Sequence, residues 1–141
     1  MKKKNFCTED KKVLYVNSKT GVAHCILDCT IDVAPDNDDD LPWSLITYLR
    51  DKYSAVLEQQ YGSIFKVRIE TQAVCHGGDV FDAKKGKTIA YSKAQLKLYH
   101  LCKRVFADMQ AFFDKKHQEY SAVQEMFKRY RTREYNFVKS V

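Results

Sequence analysis

The sequence predicts an α+β fold in the order β-β-α-β-α-α, because two kinds of apolar periodicity follow one another along the 141 residues. Segments 22–32 and 64–75 alternate apolar and polar residues with the period of two that is typical of a half-buried strand. Segments 43–61 and 83–138 repeat apolar residues at spacings of three and four, which is typical of amphipathic helices. We expect one domain over residues 1–141, a small, mainly antiparallel sheet with helices packed on one face.

A β-hairpin is predicted at the start of the fold. Val13 to Val16 form a short apolar run, and Asn17 to Gly21 have the composition of a turn. The alternating strand over 22–32 follows directly. Its predicted inward face consists of Ala23, Cys25, Leu27, Cys29 and Ile31.

A central helix and a third strand come next. The helix is predicted from Trp43 to Tyr61, because Pro42 suits the first turn of a helix and Gly62 favours its end. The strand over 64–75 follows, and its polar face presents two cations, Lys66 and Arg68.

The C-terminal part, residues 83–141, is basic and helical, with 14 basic and 5 acidic side chains. We expect two helices bent back near residues 114–117, since one helix of this length is exceptional in a small domain. Both apolar stripes are predicted to be buried in the core or in a homodimer. The first stripe is Leu98, Leu101, Val105, Met109 and Phe112; the second is Tyr120, Val123, Phe127 and Tyr130.

The N-terminus and the cysteines predict a cytoplasmic protein. Three lysines follow Met1, but polar residues stand where a signal peptide needs an apolar stretch. No segment reaches the length of a membrane span. The 5 cysteines are an odd count, and without a secretory signal we expect reduced thiols.

The loop after the third strand is the first candidate ligand site. Gly77 and Gly78 stand at a strand-to-helix junction, where backbone N–H groups can approach a phosphate. In the other interpretation the loop is structural, with Asp79 or Asp82 capping the following helix. The predicted ligand-binding set combines the loop with nearby cations: Lys66, Arg68, His76, Gly77, Gly78, Asp79, Lys87 and Lys93.

The same region carries a family resemblance. The resemblance covers residues 73–94, and within them the chain matches the pattern D-x-F-D-x-x-x-G-x-x-[IL]-A-x-x-[KR]-A from Asp79 to Ala94. This pattern resembles a strand–loop–helix motif of small phage and prophage proteins, many of which have no assigned function. Some of them look similar to anti-defence proteins that sequester nucleotide-derived immune signals. The resemblance implies a non-enzymatic binding protein with an anionic, nucleotide-like ligand or a protein partner.

Two other functions stay open. A nucleic-acid-binding protein would use the exposed cations of the C-terminal helices, Lys128, Arg129, Arg131 and Arg133, with affinity that falls steeply with salt. A homodimeric interaction protein would pair through the aromatic C-terminal helices. The four histidines have no nucleophile or carboxylate partner at an informative spacing, so we expect no catalytic site. Cys25 and Cys29 stand four residues apart on one face of a strand, too far apart to share a metal, and we expect neither a metal site nor a cofactor.

Overall fold

The computed structural model describes residues 6–36, 41–74 and 82–141, and within them it confirms the α+β class. The elements are β1 (Cys7–Asn17), β2 (Val22–Asp32), α1 (Trp43–Lys52), β3 (Leu57–Tyr61), β4 (Ile64–Val74) and α2 (Ala83–Ser140). The strands form an antiparallel sheet in the order β1-β2-β4-β3. The chain divides into two compact units, Met1–Phe106 and Ala107–Val141.

The predicted β-hairpin is confirmed as the β1–β2 pair. Gly21 takes a φ of 68°, and its N–H donates a hydrogen bond to Asn17 O across the turn at 2.9 Å. β1 begins six residues earlier than the apolar run Val13 to Val16, because the long strand β2 provides backbone partners back to Cys7. Backbone pairing, rather than side-chain burial, therefore extends this strand through its polar residues.

The predicted central helix is too long. α1 ends at Lys52, and the segment predicted as its last turns forms the strand β3 instead. Gly62 has a φ of 57° in a two-residue turn that pairs Tyr61 with Ile64. The element order is consequently β-β-α-β-β-α. A helical spacing of apolar residues is present here, but Gly62 at positive φ permits the tight turn that pairs these residues with β4.

The core of the first unit lies between one face of the sheet and both helices. The inward residues of β2 that alternation predicted are all buried. α1 contributes Leu45 and Leu49, and α2 contributes Ala94 and Leu98, all of them almost fully buried. α1 and α2 cover the same face, since Leu49 and Val105 line one small cavity together with sheet residues.

The prediction of two C-terminal helices is wrong, because α2 continues without interruption from Ala83 to Ser140. Within segment 114–117 there is neither a glycine nor a proline to stop the helix. The first apolar stripe is buried up to Met109, and Phe112 is half-buried. The second stripe is not part of a core in the single chain, because all four side chains are exposed: Tyr120, Val123, Phe127 and Tyr130. Its burial in a homodimer stays a prediction.

Candidate functional site: a basic groove at the edge of the sheet

Strand β4 is only partly covered by its outer neighbour. β3 pairs with residues 64–67, and Arg68 N–H donates to Val56 O at 3.1 Å. Beyond that point, among the described residues, 69–74 pair with β2 alone. These residues therefore form a sheet edge, where backbone groups are open to a further strand.

The outward backbone groups of this edge belong to Glu70 and Gln72. Lys97 Nζ donates a hydrogen bond to Glu70 O at 3.4 Å, and Lys93 Nζ donates one to Gln72 O at 3.1 Å. In an antiparallel strand the N–H and C=O of one residue point to the same side. The N–H groups of Glu70 and Gln72 therefore also point outward, beside the two lysines.

Two adjoining hollows follow this edge, and we call them together the edge groove. The first has a volume of about 510 Å³ and is lined by His24, Glu70, Thr71, Gln72, Lys93, Leu96 and Lys97. The second has a volume of about 290 Å³ and is lined by Val56, Arg68, Ile69, Glu70, Lys97, His100, Leu101 and Arg104. Glu70 and Lys97 line both, so the two hollows lie next to each other along the edge.

One side of α2 forms the basic wall of the edge groove. Lys93, Lys97, His100 and Arg104 follow one another at steps of four, three and four residues, so they share a face of the helix. Each precedes a buried residue of the core stripe, from Ala94 to Val105. Packing of the stripe against the sheet therefore turns the neighbouring basic side chains toward the edge of β4.

The opposite wall is built by β4 itself. Glu70 provides a carboxylate and Gln72 an amide, both exposed. Thr71 Oγ1 donates a hydrogen bond to Ala90 O at 2.6 Å, which ties the strand to α2 below the groove. With Lys93, Lys97 and Arg104 against Glu70, the groove has an excess of positive charge and is suited to an anionic partner.

Two of the predicted ligand-binding cations lie on the polar face of the sheet beside carboxylates of this chain. Lys66 Nζ donates to Thr30 Oγ1 at 2.7 Å and lies 3.5 Å from Asp10. The guanidinium of Arg68 hydrogen-bonds the Asp28 carboxylate, and this bond lowers the pKa of Asp28. A phosphate at either cation would have to compete with an internal ion pair.

The remaining predicted residues separate into three groups. Lys93 lies in the edge groove, as described above. Lys87 is half-exposed on α2 and does not line either hollow. His76, Gly77, Gly78 and Asp79 lie outside the described residues. Asp82, one of the two proposed caps, accepts a hydrogen bond from Lys85 N–H at 3.2 Å through Oδ1, so it does cap α2.

The sequence interpretation missed Lys97, His100 and Arg104. Their signal was present as a line of basic residues at helical spacing, each directly before a residue of the buried stripe. The open edge itself had no sequence signal, because it depends on the short pairing between β3 and β4.

The cations of the C-terminal candidate are all exposed on α2. Lys128, Arg129 and Arg133 line one shallow hollow of about 450 Å³, together with Glu125, Thr132 and Asn136. Arg133 also lies over the ring of Tyr130, 5.2 Å from its centroid. These side chains are accessible to a polyanion.

Neither a cluster of metal-binding side chains nor a membrane-spanning helix is present in the part of the chain that the structure describes. No three His, Cys, Asp or Glu side chains cluster there as metal ligands would. Neither described helix combines the length and the apolar composition of a membrane span.

Comparison with known proteins gives no relative. Neither a family model, nor a curated protein, nor a solved structure matches this chain. The resemblance of residues 73–94 to phage-type proteins therefore stays a prediction, and function must be argued from the groove.

Proposed function

We propose that this protein is a non-enzymatic binding protein whose edge groove takes an acidic, extended segment of a protein partner. The observation that carries the proposal is the open edge of β4 beside a line of basic residues. An extended peptide that adds to a sheet edge gains backbone hydrogen bonds, and its alternate side chains reach the flanking walls.

The length of the groove favours an extended ligand over a compact one. Lys93 and Arg104 are eleven residues apart on α2, which corresponds to about 17 Å of helix. A strand of about five residues has the same length. Peptide side chains two residues apart could thus meet successive basic side chains of α2.

The two lysines suggest how binding proceeds. In the free protein Lys93 and Lys97 occupy the carbonyls of Gln72 and Glu70. An added strand would offer its own N–H groups to these carbonyls, and the released ammonium groups would pair with its carboxylates. The ligand thereby replaces each hydrogen bond that it breaks, so no buried group is left without a partner.

A protective role is the alternative function of Lys93 and Lys97. Lysines at a sheet edge commonly prevent strands of other molecules from pairing there. Selection of peptides from a random displayed library on the immobilised protein separates the two roles. We expect selected peptides with acidic residues at every second position; an absence of selected peptides would support the protective role.

Two measurements locate the selected peptide. Changing Lys93 and Lys97 together to Glu should weaken its binding at least tenfold. The matched control changes Lys84 and Lys85 to Glu, which alters the net charge of the protein by the same amount at a place outside the groove. Amide hydrogen exchange at Glu70 and Gln72 should slow when the peptide binds. Equal affinity in both double variants would exclude the groove as the binding site.

The nucleotide-like ligand remains the other form of this proposal. Native mass spectrometry of the purified protein, with analysis of what denaturation releases, tests it directly. A bound nucleotide whose retention depends on Lys93 and Lys97 would assign the groove to a small anion instead of a peptide.

Nucleic-acid binding is a second candidate, and the exposed cations around Arg129 favour it. If it is correct, affinity for double-stranded DNA or RNA should fall steeply with salt. Changing Arg129, Arg131 and Arg133 to Glu should abolish that binding and leave peptide binding in the edge groove intact.

A further inference from the structure

The second unit of the chain exposes an apolar stripe with a strict seven-residue repeat. From Phe113 to Val141 the stripe advances by alternating steps of three and four residues. We call these positions the seam: Phe113, Lys116, Tyr120, Val123, Phe127, Tyr130, Glu134, Phe137 and Val141. The six apolar members from Phe113 to Phe137 are between 43% and 65% exposed.

A repeat of this kind is typical of a two-stranded coiled coil. A period of 3.5 residues keeps one line of side chains facing a partner helix along its whole length. A single helix leaves this line of side chains exposed to water, and an exposed apolar stripe of this length lowers solubility. The distance from Phe113 to Phe137 corresponds to about 36 Å of helix, long enough for a stable pair.

The polar members of the seam identify the partner. Lys116 and Glu134 are the charged residues in it, and they lie the same distance on either side of position 125. If a second copy lies antiparallel about this point, Lys116 of each copy faces Glu134 of the other. A parallel pair in register would place lysine against lysine and glutamate against glutamate, which is unfavourable.

The other layers agree with the same register. The seam has two kinds of position, those followed by a step of three residues and those followed by a step of four. In an antiparallel coiled coil each layer joins one position of each kind, and the layers centred on position 125 all do so. Phe113 then faces Phe137, Tyr120 faces Tyr130, and Val123 faces Phe127 of the second copy. An aromatic side chain thus meets another aromatic side chain or a valine in every layer except the two that hold the charged pairs.

The residues that flank the seam add a further charge match. Glu119 and Arg133 occupy equivalent flanking positions, and the antiparallel register brings them together across the interface. In the single chain Lys116 lies 3.4 Å from Glu119, and Arg133 lies 3.9 Å from Glu134. Each end of the paired segment would therefore collect two cations and two anions in one group.

We propose that two copies of this protein associate through residues 113–137 as a symmetric antiparallel coiled coil, with Lys116 of each copy paired to Glu134 of the other. The two-fold axis passes beside position 125, so the interface is self-complementary and closes at two copies. This proposal uses residues separate from the edge groove and does not depend on the peptide proposed for it.

A zero-length carbodiimide cross-linker tests both the association and its direction on the full-length protein. It joins amines to carboxylates in direct contact. Lys116 and Glu134 of one chain are about 27 Å apart along α2, so a link between them can form only between two copies. We expect a dimeric mass in light scattering and this link in peptide mapping. A monomer across micromolar concentrations, or a dimer without the link, would overturn the proposal.

Charge reversal gives an independent test. Lys116→Glu and Glu134→Lys should each weaken the dimer at least tenfold, and the double variant should recover most of the affinity. Glu125→Lys and Lys139→Glu are matched controls on the opposite side of the helix and should leave the dimer unchanged. If the two single variants also dimerise normally, the proposed register is wrong.

Discussion

Arg68 and Asp28 are joined by two hydrogen bonds across β4 and β2, from Nε to Oδ1 at 2.8 Å and from Nη2 to Oδ2 at 3.3 Å. The residues are direct register partners on the polar face of the sheet. Glu58 lies on the other side of the guanidinium at 4.0 Å, and Lys11 of β1 adds to the positive field at Asp28. On the polar face of the sheet, the pair joins side chains of the two central strands, β2 and β4.

Because of this ion pair, we expect part of the free energy of unfolding to be lost at acidic pH. The hydrogen bond from Arg68 lowers the pKa of Asp28 below its unfolded value, which is about 3.9. A lowered pKa stabilises the fold above that unfolded value, and the contribution is lost as the pH falls through the folded pKa. We expect the free energy of unfolding to fall less between about pH 5 and pH 2 in Asp28→Asn than in the natural protein. Urea titrations across this range measure it, with Asp51→Asn on α1 as the control.

The close approach of Gly86 to Ala23 predicts strong coupling between the two positions. A Cβ on Gly86 would lie 3.1 Å from Ala23 Cβ, in a central strand that has little room to move. Gly86→Ala gains about 1 kcal/mol of helix propensity, but overpacking costs about 1–3 kcal/mol. We therefore expect a net loss of about 1 kcal/mol.

The same substitution should stabilise the protein when Ala23 is first changed to Gly, because the methyl group then fills vacant space. A double-mutant cycle from denaturant unfolding measures the coupling. Additive effects of the two substitutions would show that α2 can move away from β2 at this point.

Cys7 and Cys102 are positioned to respond to oxidation. The Cys7 thiol donates a hydrogen bond to Cys102 Sγ, which raises the pKa of Cys7 and lowers the pKa of Cys102. Both are half-buried, whereas Cys25 and Cys29 are fully buried and burial raises the pKa of each. We expect mild oxidation to form a Cys7–Cys102 disulfide that joins β1 to α2.

Peptide mapping after oxidation identifies the bond, and thermal unfolding reports its effect. A disulfide that closes so long a loop typically contributes about 2–4 kcal/mol, so the Tm should rise on oxidation. Cys102→Ser should remove the rise. A bond that involves Cys25 or Cys29 instead would contradict the predicted order of reactivity.

Leu98 and Leu96 allow a direct comparison of a core and a groove position on the same helix. Leu98 is 1% exposed and Leu96 is 68% exposed. Leu98→Ala should cost about 3 kcal/mol, because it removes buried methyl groups and leaves a cavity. Leu96→Ala should change stability by less than about 0.5 kcal/mol and weaken peptide binding in the edge groove instead. Equal losses of stability would contradict the packing described for α2.

The sequence by itself determined the β1–β2 hairpin and most of β4, together with the buried sides of β2 and of the first part of α2. Alternation in β2 identified its buried face from Ala23 to Ile31, and the spacing in α2 identified Leu98, Leu101 and Val105. These assignments hold because burial of side chains follows a local period, two in strands and 3.6 in helices. Of the cations that the sequence predicted to bind a ligand, Arg68 and Lys93 line the edge groove.

Only the tertiary structure decided where β3 lies and what it leaves open. Residues 57–61 have an apolar spacing that suits a helix, but pairing with β4 through the turn at Gly62 makes them a strand. Because that pairing stops at Val67 and Arg68, no other strand of the described residues covers the edge at Glu70 and Gln72, which lies beside Lys93 and Lys97. Sequence periodicity reports which side of an element is buried, but it does not report which neighbour covers it, since that depends on hydrogen bonds between segments distant in the chain.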